Sequence, residues 1–93
     1  MDLPAFEASL AAEAPPVDGA LAALWWDAKG NWEKAHSVAQ AGDDATHAWV
    51  HAYLHRKEPD LANATYWYGQ ARQPVATGDF GDEWRAIARA LLR

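Results

Sequence analysis

Two breaks in an otherwise helix-forming chain restrict how it can fold. Gly30-Asn31 and Pro59-Asp60 leave only two or three residues between stretches of helical pattern, so the helices flanking each break must double back as αα-hairpins. Alanine fills 22 of the 93 positions while Val, Ile and Thr together fill 8, a local preference that is heavily helical and poor for strands. Leu, Ile, Val and Phe total only 15 residues, so six Trp and three Tyr must supply much of the buried surface. With a net charge of −5, the chain is expected to fold, around aromatic rings.

Capping residues and apolar spacing predict the helices in turn. Asp2 and Pro4 open a first helix that ends before Pro15-Pro16, carries Leu3, Phe6 and Leu10 on one stripe, and is expected to fray. Asp18 caps a second helix to about Lys29, with Leu21, Leu24, Trp25 and Ala28 sharing a face. Asn31 caps a third, Trp32 to about Ala41, burying Trp32, Ala35, Val38 and Ala39. Asp43 or Asp44 starts a fourth and longest helix that ends near Glu58, because Pro59 disfavours helical geometry in the residue before it. Asp60 caps a fifth to about Arg72. The last runs from about Asp82 to Leu92, buries Trp84, Ile87, Ala88 and Leu91, and has its entry stapled by Phe80 against Trp84. The expected architecture is a single all-α domain, 1–93, of five to six short helices. Residues 1–16 form a short helix and proline linker, 18–72 two stacked αα-hairpins, and 79–93 a C-terminal capping helix.

Aligning the two hairpins pairs Gly30-Asn31-Trp32-Glu33-Lys34-Ala35 with Pro59-Asp60-Leu61-Ala62-Asn63-Ala64 at an offset of 29 residues. On these residues the segment Leu21 to Pro74 resembles a tetratricopeptide repeat, whose turn is followed by an aromatic and a further alanine. Asp60, Leu61, Ala64, Tyr68 and Ala71 occupy those places in the second unit, with Ala52 at the small position of the preceding helix. The first unit has Asn31, Trp32 and Ala35, with Ala23 and Trp26. It departs from the pattern at Ala39, where an aromatic belongs, and in its spacing. The resemblance implies stacked helix pairs. The run Trp49 to Glu58, with Asn63-Ala64 and Tyr66-Trp67-Tyr68, is also similar to a group of short uncharacterised helical proteins, which implies no activity.

His47, His51 and His55 recur every fourth residue of the fourth helix, and so stack along one side. The outer pair would lie about 12 Å apart at 1.5 Å rise per residue, so one ion could take at most two of them. His51 and His55, or His47 and His51, would form such a half-site, which Glu58 or His36 from a neighbouring helix would complete. The alternative is that His51 and His55 pack in the hairpin interface, satisfied by a carboxylate or carbonyl, with His47 exposed. A catalytic version would use His51 or His55 as general base, oriented by Glu58 or Asp60, with Arg56 holding an anion. No nucleophile, glycine-rich phosphate cradle or diagnostic acid–base pair accompanies it, so neither an enzyme nor a cofactor is expected.

Tyr66-Trp67-Tyr68 spreads its rings over about 200° of the fifth helix at 100° per residue, so at least one should face outward. Trp26, Trp32, Trp49 and Trp84 are expected in the core. Gln40, Asn63 and Gln70 would line a pocket if buried, and Arg85, Arg89 and Arg93 form a solvated row. These patterns favour a small interaction module that binds a peptide, a protein or a second copy of itself. His51, His55, Arg56, Asn63, Tyr66 and Tyr68 would be its recognition face, and a homodimer would help cover the rings. Residues 1–46 carry eight acids and two bases, which argues against wrapping nucleic acid. No stretch reaches the roughly 20 apolar residues of a membrane span. The chain has no cysteine and opens with Met1-Asp2-Leu3-Pro4, which lacks the basic region of a secretion signal. A cytoplasmic location follows as the expectation.

Overall fold

A computed structural model describes all residues, Met1–Arg93. It is all-helical: α1 (Leu3–Ala8, continued by a 3-10 turn over Ser9–Ala11), α2 (Gly19–Ala28), α3 (Trp32–Ala41), α4 (Ala45–Lys57), α5 (Leu61–Ala71) and α6 (Phe80–Leu91). Helices α2 and α3 form one hairpin and α4 and α5 a second, and α3 lies against α4 where the hairpins stack. Helix α6 covers α2 and α4, and α1 packs on α6. No helix is long and apolar enough to cross a membrane.

The helix starts follow local chemistry. Side-chain oxygens of Asp2, Asn31, Asp44, Asp60 and Asp79 each accept a backbone N–H from the first turn of α1, α3, α4, α5 and α6. Asp18 precedes α2 but its side chain makes no capping bond, and Gly19 beside it has φ +67°. Gly30 takes φ +81° in the α2–α3 turn, a conformation open to glycine at little cost. Asp79 draws the start of α6 back to Phe80, two residues before the expected Asp82, by accepting the Asp82 N–H at 3.1 Å.

Packing departs from the local sequence pattern in four places. The N-terminal helix is fixed, not frayed. Phe6 is fully buried and stacks on Trp84 with ring centroids 5.5 Å apart, while Ser9 Oγ accepts the Trp25 indole N–H at 3.1 Å. Lys29 Nζ completes the clasp by donating to the carbonyls of Leu10 and Ala12. Phe80 does not staple Trp84. It stays 41% exposed beneath the Arg56 guanidinium, because Phe6 already occupies the Trp84 face. In α2, Trp25 is fully buried whereas Ala28 is exposed and Trp26 half-buried, with Lys34 Nζ 4.1 Å over its ring. Leu61 is 63% exposed, although its counterpart Trp32 reaches across to donate its indole N–H to the Leu54 carbonyl. The difference is that α5 packs chiefly on α4, whereas α3 packs on both α2 and α4.

Two polar pins lock α4 to its neighbours. Asp27, buried in α2, accepts from the Tyr53 hydroxyl at 2.9 Å and from Lys57 Nζ at 2.9 Å. Glu83 of α6 accepts from Arg56 Nη1 at 2.8 Å and from the Tyr68 hydroxyl, joining α4, α5 and α6. Burial, reinforced by the carboxylates they face, pushes both tyrosine hydroxyls above their ordinary pKa.

Phe6→Ala should cost about 3–5 kcal/mol, because it empties a closed ring stack. Leu61→Ala, at an exposed site, should stay within about 0.5 kcal/mol. Urea unfolding of both variants checks the contrast, and equal losses would contradict the clasped N-terminus.

Candidate functional site

The most concentrated chemistry in the molecule lies between α3, α4 and α5. His51 and His55, one turn apart on α4, stack with ring centroids 4.8 Å apart. His36 enters from α3 edge-on to both, at 4.7 Å from His51 and 5.1 Å from His55. One ligating nitrogen from each of the three lies within 4.8 Å of the others, and His36 Nε2 is 3.1 Å from His51 Nε2.

Aromatic walls and one carboxylate hold the rings in place. Trp32, one turn before His36 on α3, stacks on it at 4.9 Å and 11°. Trp67 of α5 stacks on His51 at 4.1 Å and 16°. Glu58 Oε1 meets His55 Nδ1 at 2.5 Å, which orients the ring and leaves Nε2 for any ligand. His51 and His55 are buried, and His36 is half-buried.

This setting favours neutral imidazole. Burial, followed by the charges of His36 and His55, brings His51 down to about 4 from 6.5. Burial, followed by the charge of His55, lowers His36 as well. At neutral pH both therefore keep one unprotonated ring nitrogen. The 3.1 Å contact is then one imidazole N–H donating to the other's nitrogen.

His47, the third member of the histidine row, takes no part. Its Nδ1 meets Asp44 Oδ1 at 2.8 Å, and its ring fills the space where a Cβ on Gly42 would stand 2.3 Å from it. Three hydrogen bonds from His47 and Thr46, led by the His47 backbone N–H, hold the Asp44 carboxyl well below the usual carboxylate range.

Of the six residues expected to form a recognition face, the structure does not make one surface. Arg56 and Tyr68 turn toward Glu83 and α6, and His51 and His55 are buried in the cluster. Tyr66 is exposed, and Asn63 is exposed on Asp60, to which its Nδ2 donates at 3.3 Å. The four residues of the metal alternative, by contrast, come together: His36, His51, His55 and Glu58. A second grouping, His55, Glu58 and Asp60, draws on the carboxylate that caps α5. Trp32 and Trp67 are the members of the site that the sequence reading missed. The Trp32–His36 spacing of one helical turn was a usable signal, but nothing in the sequence pairs Trp67 with His51.

No family model, curated protein or solved structure matches the chain. What the cluster can do must come from its own atoms.

Because the folded, metal-free chain disfavours protons on His51 and His36 while the unfolded chain accepts them near 6.5, their contribution to stability is complete above that pH. The His51 part drains away as pH falls from 6.5 toward 4. Between pH 7 and 4.5, the parent chain should lose more of its urea midpoint than His51→Gln. Equal losses in the two would reject the assignment.

Proposed function

We propose that the chain binds a divalent transition-metal ion of the zinc class through His36, His51 and His55. The observation that carries this reading is the convergence of three imidazole nitrogens within 4.8 Å on two helices of different hairpins. Two nitrogens bonded to one zinc ion at about 2.0–2.1 Å in a tetrahedral array lie about 3.3 Å apart. The His36–His51 separation of 3.1 Å is close to that, so the ion would replace the proton the two rings share. Nitrogen-only donation suits zinc, copper or nickel better than magnesium or calcium.

The surroundings support the same reading. Ring nitrogens kept unprotonated at neutral pH lower the proton competition that metal ligation must overcome. Glu58 on His55 Nδ1 is the carboxylate–histidine arrangement that orients a ligand and raises its basicity. Three protein ligands leave a fourth position for water or an exogenous group. A bound ion would also clamp the α2–α3 hairpin to the α4–α5 hairpin. At a free concentration one hundred times its Kd, it would add about 2.7 kcal/mol of stability. The peptide- or self-binding reading has less support, since only Tyr66 and Asn63 of its six residues are exposed.

Isothermal titration of zinc into chelator-treated, tag-free chain should give one site per chain and a raised Tm. His36→Gln and His51→Gln should abolish that site. Glu58→Gln should weaken it by about 10–100-fold, the range typical of an outer-shell partner. His47→Gln should leave it intact. Absence of one-to-one binding, or an equal loss in His47→Gln, would overturn the assignment.

A further inference from the structure

A cavity of about 350 Å³ opens beside the cluster, where the α3–α4 turn faces α5. Its lining joins Gln40, Asp43, Asp44, Tyr66, Trp67 and Gln70 around the buried His51. This volume is within the range that holds small ligands. The composition of the wall is selective. It offers two carboxylates, two aromatic rings and two carboxamides, and no lysine or arginine lines it.

The polar groups are available. Asp44 commits Oδ1 to the cap of α4 and to its contacts with Thr46 and His47, which leaves Oδ2 free. Asp43, immediately before it, forms no ion pair. Tyr66 stands edge-to-face against Trp67 at 5.0 Å and is 57% exposed, so a ring face is open to a ligand. Carboxylates beside open ring faces form the arrangement that attracts an ammonium group, through ion pairing and through the negative face of the ring. An anion would meet two carboxylates and no compensating charge.

We infer that this cavity binds a small organic cation of the alkylammonium class, its charged nitrogen held between Asp43, Asp44 and the Tyr66 ring and its carbon atoms against Trp67. Gln40 and Gln70 would accept from the remaining N–H groups. The inference does not rest on the metal reading, since none of these contacts involves an imidazole nitrogen.

The test uses chelator-treated full chain, titrated with putrescine and with choline, and with 1,4-butanediol as the uncharged probe. NMR would follow the Trp67 indole N–H and the backbone amides of Asp43 and Gln70. Saturable shifts with a cation and none with butanediol are expected. Binding should weaken about three- to fivefold in Asp43→Asn and in Tyr66→Ala, the size of one partly exposed ion or ring contact. Both positions are exposed and outside the helix caps, and a retained Tm would show that the fold is intact. No saturation by either cation below about 10 mM, an equal response to butanediol, or unchanged affinity in both variants would overturn the proposal. Because metal is removed throughout, the outcome is separate from that of the zinc titration.

Discussion

Helix α4 packs against α2, α3, α5 and α6, and this central position constrains everything around it. An unbroken run of it, Val50 through His55, is buried, so polar groups enter the interior on more than one side. A buried polar atom without a partner costs about 1–3 kcal/mol, a large fraction of what a domain of this size has to spare. The fold answers with a distinct partner on each side: Asp27 for Tyr53 and Lys57, Glu83 for Arg56, and His36 and Glu58 for the imidazoles. No buried side-chain nitrogen or oxygen is left without a hydrogen bond.

These arrangements are chemically unequal. The Asp27–Lys57 and Arg56–Glu83 pins balance one charge against another, and such a pair stabilises little beyond what well-packed apolar residues would. Their main effect is on geometry. They fix which face of α4 meets α2 and which meets α6. The imidazole cluster balances nothing in that way. It gathers three imidazoles, with one carboxylate behind them, and no lysine or arginine bonds to any of the three rings. A site with excess lone pairs and one supporting negative charge suits a cation, which is why the metal reading draws on the cluster and not on the pins.

What could be read from the sequence divides along the range of the interaction. Asn31, Asp44 and Asp60 act within one turn of themselves, so the hairpin ends are legible from neighbouring residues alone. The separation of His47 from the His51–His55 pair is not, because it depends on the space that Gly42 leaves for one ring and on the approach of α3 to the others. Phe6 and Trp84 are 78 residues apart, and their stacking displaces Phe80, which local spacing assigns to the same ring. Arg56 and Tyr68 look like surface groups on their own helices until Glu83 arrives from α6. His36 was nameable as a third ligand because the hairpin stacking already brings α3 beside α4. Which face of α5 would close the site with Trp67 required the packed structure.

His51 belongs both to the imidazole cluster and to the wall of the neighbouring cavity, so the two proposed sites would be coupled through it. A divalent ion on His51 would raise the potential at the cavity and oppose a second positive charge there. The cavity carboxylates would attract the ion when the cavity is empty, and a bound organic cation would offset that attraction. The sign of the coupling is therefore negative, and by linkage each ligand must weaken the other by the same factor. Ring stacking transmits position as well as charge: Trp67 lies against His51 at 4.1 Å, so a ligand that shifts the indole would also shift a ring of the proposed metal site. Under this arrangement the cluster would be filled most tightly when the cavity is empty. A fold built around one polar-rich helix would thereby carry two sites that compete through a single imidazole.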